Sequence, residues 1–555
     1  MEATHPWLDK YSPGVPAKID PDSHASLVAL FEDCISKFGD KPAFSCMGKT
    51  ITYKELGKKS RRMAAYLQSR GLQPGDRISL MMPNTLQYPI AVIGSLLAGL
   101  IVVNTNPLYT AREMKHQFTD SGVKAVIIAE NFAYNLQKIM DDTDIQVVIR
   151  TSIGELLGGV KGPLVNFAVR YVKRMVPKYK LNNTVTFSHA LKEGKKFTIK
   201  QPKSTQEQVI LLQYTGGTTG VAKGSMLTNR NMVSNALQIK AIVSPFLKEG
   251  EEVALCPLPL YHIFAFTVNF VSMMILGAHT VLVVNAKDIG SVLKEFKKQP
   301  VSLFTGVNTL YNAIMNYPGI EKVDFSHLKI SVGGGMAIQK VVAERWKERT
   351  GCQLCEGFGM TECSPVASVN PLDEGNRVGT IGIPVPSTQM RVVDESGSPL
   401  PPNEKGELQI KGPQVMKGYY NQPDETAKTI VDGWLNSGDI GMMLPDGFFK
   451  IVDRKKDMIN VSGFNVFPNE IEDVLSGHPK VLEVAAIGIP HEKSGECVKV
   501  FIVKKDKTLT EKEVLAFCRE NLTGYKVPKA VQFEKELPKT NVGKILRREL
   551  REDEK

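Results

Sequence analysis

The chain is poor in the features that would mark a secreted, fibrous or repetitive protein. Its 555 residues contain only 8 cysteines, too sparse for a disulfide framework and typical of reduced thiols. No short repeat or low-complexity tract occurs, which excludes solenoids and disordered scaffolds. The opening "MEATHPWLDKYSPG" lacks a basic segment followed by an apolar run, so secretion is not expected. Long hydrophobic runs are also scarce. Residues 90–103 are too few to span a bilayer, and Gly94 and Gly99 suit close packing; residues 264–284 are divided by Asn269, Gly277 and His279. Cys352 and Cys355 form a CxxC, but no second pair or nearby histidine completes a zinc site. HExxH, GxSxG and paired-carboxylate arrangements are missing.

Charge is biased only mildly. Lys and Arg number 69 against 58 acidic residues, a net +11. Such an excess suits a nucleotide or an anionic membrane surface and is too diffuse to argue for nucleic acid. What the chain does contain is ordinary globular composition, 42% hydrophobic, and too much of it for one core.

Short apolar runs alternate with helical patterns through "QVILLQY", "VALCPLPL", "TVLVV", "SLFTGV" and "LKISVGGG", the rhythm of mostly parallel α/β sheets. After about Arg391 the texture turns to hairpins, "MRVVDESGSPL", "GELQIKG" and "LPDGFFKIVDR". A small α+β unit then starts, with strands "VLEVAAIGIP" and "VKVFIVKK" and a helix entered by Thr510 with Glu513 three residues on. The charged "DRKKD" between the two textures cannot be core. The expected organisation is therefore an α/β domain with a β-rich part over residues 1–452, a joint at 453–457 and an α+β domain at 458–555.

One segment stands apart. In "LVNFAVRYVKRM", Leu164, Phe167, Ala168, Tyr171, Val172 and Met175 fall on one helical face, with Arg170, Lys173 and Arg174 among the polar positions. It reads first as a surface helix docked on the core, and second as an interfacial helix on anionic lipid.

The densest chemistry lies in "YTGGTTGVAKG", which follows the strand beginning at Val209. Glycines let backbone approach a ligand, and hydroxyls with free amides can ring phosphate oxygens. It is not a GxxxxGK[ST] loop, because Gly224 follows Lys223. This stretch resembles the phosphate loop of the adenylate-forming superfamily, which comprises acyl-CoA synthetases, peptide-synthetase adenylation domains and luciferases. The likeness continues in family order through "GFGMTE", "DGWLNSGDIG", "DRKKDMINVSGFNVFPNEIE" and "PKTNVGKILRREL", across most of the chain. "DGWLNSGDIGMMLPDGFFKIVDRKK" is similar to the fatty acyl-CoA synthetase signature, and the 164–180 segment and the length look like bacterial long-chain fatty acid–CoA ligases.

The resemblance implies that ATP and a fatty acid form an acyl-adenylate, which coenzyme A then converts to acyl-CoA. It assigns Tyr214, Thr215, Gly216, Gly217, Thr218, Thr219, Gly220 and Lys223 to the phosphates, and Gly335, Met336, Phe358 and Gly359 to the adenine side. Thr361 is assigned to the α-phosphate, Glu362 with Thr218 to Mg²⁺, and Asp439 with Arg454 to the ribose. Phe358 stands where many relatives have tyrosine, and Ser437 where threonine is commoner. Lys544 would serve the adenylation step, Lys456 the hinge of a mobile C-terminal domain, His262 the acyl pocket, and Ser462 and Gly463 the pantetheine path. The same likeness implies a homodimer in the cytoplasm, resting on the anionic inner face of the membrane. Competing expectations are a medium-chain or aryl-acid CoA ligase, an acyl-AMP ligase, and, in another class, a non-catalytic lipid-binding protein.

Overall fold

The structure, a computed structural model, describes residues 5–215, 222–462, 464–491, 494–540 and 543–552. The expected alternation resolves into two large sheets. In the first, strands run in the spatial order 418–419, 223–228, 209–215, 101–104, 77–81, 123–129, 147–151, 184–186. In the second the order is 383–384, 366–369, 354–359, 330–333, 303–306, 253–256, 279–282, 42–46, 49–52. Their middle strands pair in parallel, and most of their residues are buried, as continuous Val/Ile/Leu runs require.

Both stretches checked as membrane spans are core. Residues 90–103 become the end of the buried helix Gln87–Leu97 and the strand Ile101–Asn104. Gly94 is required there, because a Cβ would sit 2.8 Å from Met63 Cβ on the helix Tyr53–Ser69. Among the described residues no helix is long and apolar enough to cross a membrane. All eight cysteines are free and buried, Cys352 and Cys355 included.

The hairpin texture after Arg391 is a five-stranded antiparallel sheet, in which Trp434–Met443 pairs with Phe449–Arg454. That last strand runs to Arg454, so Asp453 and Arg454 are the end of this sheet. The C-terminal unit has its own five-stranded sheet, a separate core around Ile471, Val484, Val500 and Cys518, and the capping box of Thr510 and Glu513.

The 164–175 segment departs from its first reading. A helix Lys161–Phe167 widens into a π-helical turn, Ala168–Val172, and its apolar row is not docked on the core. Leu164, Phe167, Tyr171, Val172 and Met175 are each more than half exposed, as is Val160 before them. Ion pairing of Arg170 to Glu130 and the bond from Asn131 Nδ2 to the Met175 carbonyl fasten the polar side instead.

Candidate active site

Parallel strands open their carboxyl ends onto one place, where ligands collect in α/β sheets. Strands Leu303–Gly306, Ile330–Gly333 and Leu354–Gly359 from one sheet and Val209–Thr215 from the other all end at a single cleft of about 1720 Å³. Its remaining wall comes from the antiparallel sheet and from the C-terminal unit, which contributes Lys544. A cleft this large exceeds the usual single-ligand pocket and suits several substrates at once.

Of the residues singled out in the sequence, Tyr214, Thr215, Lys223, His262, Gly335, Met336, Phe358, Gly359, Thr361, Glu362, Asp439, Arg454, Lys456 and Lys544 line this cleft. Gly216, Gly217, Thr218, Thr219, Gly220 and Gly463 lie outside the described residues. Ser462, in the left-handed region at φ 54°, sits on the hairpin of the C-terminal unit and does not line the cleft.

Several of these side chains have specific partners. Tyr214 donates its hydroxyl to Asp120 at 2.5 Å, which fastens this end of the strand. Lys223 pairs with Glu425 at 2.5 Å and lies 5.3 Å from the Tyr419 ring. Gly359 admits no side chain, because a Cβ would fall 2.2 Å from the Pro365 carbonyl oxygen. The next turn, Thr361–Cys363, is buried, and Glu362 Oε1 accepts from the Tyr419 hydroxyl at 2.7 Å.

Asp439 carries the clearest sign of a missing partner. It is 2% exposed, and its Oδ1 accepts from Arg454 Nε at 2.7 Å, while its Oδ2 is buried without any hydrogen bond. Burial pushes the carboxyl up, and the Arg454 and Lys544 charges offset this in part. An orphaned buried acceptor costs about 1–3 kcal/mol, so a donor-bearing ligand such as a sugar hydroxyl fits here.

Lys544 stands exposed on the cleft wall. Its ammonium is pushed down to about 8, by desolvation first and by Arg454 next, with Asp439 opposing. His262 is pushed down to about 4 by burial and then by the Lys544 charge, so it is neutral at ordinary pH. Its Nδ1 accepts from Phe264 N at 3.4 Å, leaving Nε2 to carry the proton. Beyond it the cleft turns apolar, walled by Ile239, Val243, Val268, Met273, Leu303 and Val332.

Three participants escaped the sequence reading. Tyr419 and Glu425 follow no motif; only the pairing of strand Gly418–Tyr419 with Lys223–Thr228 brings them in. Glu356, one step before the "GFGMTE" run, lines the cleft with its carboxyl pushed up to about 8 by burial. Among the described residues no group of three His, Cys, Asp or Glu side chains could hold a metal by itself. Glu362 alone is still compatible with Mg²⁺, which takes one or two carboxylates and completes its shell with phosphates and water.

Residues 31–420 match the model of the AMP-binding enzyme family, and residues 470–544 match the AMP-binding enzyme C-terminal domain. The chain is 53% identical over 548 residues to a long-chain-fatty-acid–CoA ligase of Escherichia coli, covering 99% of this chain and 98% of that protein. It is 54% identical over 548 residues to the protein of that name from Salmonella typhimurium, with the same coverage. Among solved structures, the anthranilate CoA ligase AuaEII in complex with anthranoyl-AMP superimposes with a TM-score of 0.86 at 22% identity, covering 97% of this chain and 99% of that one.

Proposed function

The chain belongs to the AMP-binding enzyme family, and from that premise we propose that it is an ATP-dependent long-chain fatty acid–CoA ligase. The observation that carries this is the full-length likeness to long-chain-fatty-acid–CoA ligases, at 53–54% identity. An apolar wing opening beside Lys544, Asp439 and Glu362 supports it. Each methylene buried in such a wing contributes about 0.8 kcal/mol, which favours long chains.

In the first half-reaction a fatty carboxylate oxygen attacks the α-phosphorus of ATP. The bond to the bridging oxygen breaks, and pyrophosphate leaves with that electron pair. Two anions must come together, and at 4 Å and an effective dielectric of 20 their repulsion is about 4 kcal/mol, near a thousandfold in rate. Lys544 supplies a cation at that point, and Lys223 supplies another among the phosphates. Asp439 and Arg454 hold the ribose, Gly335, Met336, Phe358 and Gly359 the adenine side, and Thr361 the α-phosphate. Glu362 and Thr218 would hold Mg²⁺, which would supply further charge neutralisation. In the second half-reaction the thiolate of coenzyme A attacks the acyl carbonyl carbon, and AMP departs. Lys456 is the hinge about which the C-terminal domain turns between the two steps, and the pantetheine path is assigned to Ser462 and Gly463 from the family motif.

The test is isotope exchange of labelled pyrophosphate into ATP across acids of increasing length, with and without coenzyme A. Exchange that rises with chain length is expected; exchange only with short or aryl acids would reject the long-chain assignment.

Peripheral attachment to the anionic cytoplasmic face of a membrane is a second part of the proposal. The exposed row from Val160 to Met175, with Lys173, Arg174, Lys178 and Lys180 beside it, is the supporting observation. The triple substitution Leu164→Ser, Phe167→Ser and Tyr171→Ser is expected to abolish sedimentation with anionic vesicles. Undiminished sedimentation would remove this segment from the account.

A further inference from the structure

The helix Asn308–Met315 follows the strand Leu303–Gly306 at the rim of the cleft. One face carries Leu310, Tyr311 and Ile314 into the core. Another carries Thr309, Asn312 and Asn316, three and four residues apart and so in one stripe. That stripe meets the C-terminal unit. Thr309 Oγ1 donates to the Gly543 carbonyl at 2.9 Å, and Asn312 Nδ2 donates to the Leu482 carbonyl at 3.0 Å. Asn312 is itself aimed, since its Oδ1 accepts from Asn316 Nδ2 at 2.9 Å.

Both receiving carbonyls belong to the C-terminal unit that carries Lys544. Gly543 is the residue before it, next to the Lys539–Ile545 bridge and the bond from Lys544 N to Thr540 Oγ1 at 3.0 Å. Leu482 packs in the same small core as Ile545. Gly543 also fits only as glycine, at φ +83°, with a Cβ position 2.8 Å from Thr309 Oγ1. The loop therefore approaches this helix as closely as backbone allows.

We propose that Thr309 and Asn312 are positioning residues: a two-point ledge that seats the Lys544 loop for adenylation and is vacated for thioester formation. The inference rests on the two-step reading above, and it names what holds the first state. The chemistry suits a reversible seat. Both donors are uncharged, so water replaces the lost carbonyl at little cost, and each bond shifts an equilibrium by only about three- to tenfold.

The experiment measures the two half-reactions separately in the full-length enzyme. Thr309→Val keeps the shape and removes the donor; Thr309→Ser keeps the donor; Asn312→Leu removes the second. Thr309→Val is expected to lower the rate of ATP–pyrophosphate exchange about five- to tenfold. The KM for ATP and thioester formation from supplied acyl-AMP and coenzyme A stay near wild type. Thr309→Ser restores exchange, and Thr309→Val with Asn312→Leu falls further than either alone. Equal losses in both half-reactions, no loss in exchange, or failure of Thr309→Ser to restore it would overturn the ledge. Absence of exchange in the wild type would instead overturn the ligase reading.

Discussion

Raising the pH is expected to switch off adenylation through one side chain. Lys544 is pushed down to about 8 by desolvation and by Arg454, against an ordinary lysine value of about 10.4. The direction follows from the sign of the shift: the ammonium is present below about pH 8 and lost above it. At pH 7 about nine-tenths of the free enzyme carries the charge, and at pH 9 about one-tenth. Because kcat/KM reports the free enzyme, its value for pyrophosphate exchange is expected to fall about tenfold per unit above pH 8. Exchange is the right assay, since it omits coenzyme A, whose thiol titrates in the same range. Bound ATP adds negative charge beside the ammonium, so the limb in kcat lies at higher pH than the limb in kcat/KM. Lys544→Arg retains a cation that does not titrate below pH 12 and is expected to move the limb beyond pH 10, at reduced overall rate. A flat kcat/KM up to pH 10, or an unmoved limb in Lys544→Arg, would refute the assignment of the charge to this residue.

Asp439→Asn leaves Arg454 without its carboxylate and weakens the ribose contact; the KM for ATP is expected to rise about ten- to a hundredfold in exchange kinetics. An unchanged KM would remove Asp439 from the nucleotide site. Val243→Trp fills part of the apolar wing. The profile of kcat/KM against chain length is then expected to peak at shorter acids, and a profile that keeps its maximum would place the chain elsewhere. Trp346 is wholly buried, donates its indole N–H to Ser331 Oγ at 3.0 Å and meets Tyr311 edge-on at 4.7 Å. Trp346→Ala is expected to destabilise by about 3–5 kcal/mol in reversible denaturation, and a loss under 1 kcal/mol would contradict that packing.

Many of the residues that line the cleft were named through the family resemblance, whose motifs are local runs. Short-range spacing dictates a loop, and "GFGMTE" or "SGD" keeps the same neighbours however the chain folds. Lys544 was legible only through "KTNVGKIL", since a lysine in a basic tail otherwise reads as solvated. Tyr419 and Glu425 were not legible, because a strand pairing with residues about 200 positions away brings them to Lys223 and Glu362. The docked-helix reading of the 164–175 segment failed for a related reason. Its periodicity is that of a docked helix, and periodicity records an apolar face without recording what covers it.

Apolar runs and their spacing determined, by themselves, mostly parallel α/β sheets, a hairpin-rich part after about Arg391 and a separate C-terminal unit, because burying Val- and Ile-rich strands leaves few alternatives. Only the tertiary structure decided where a charge stays a charge. Asp439, Lys544, His262 and Glu356 owe their shifted titration to atoms brought together from distant segments, and desolvation is a property of surroundings, which no stretch of chain carries within itself.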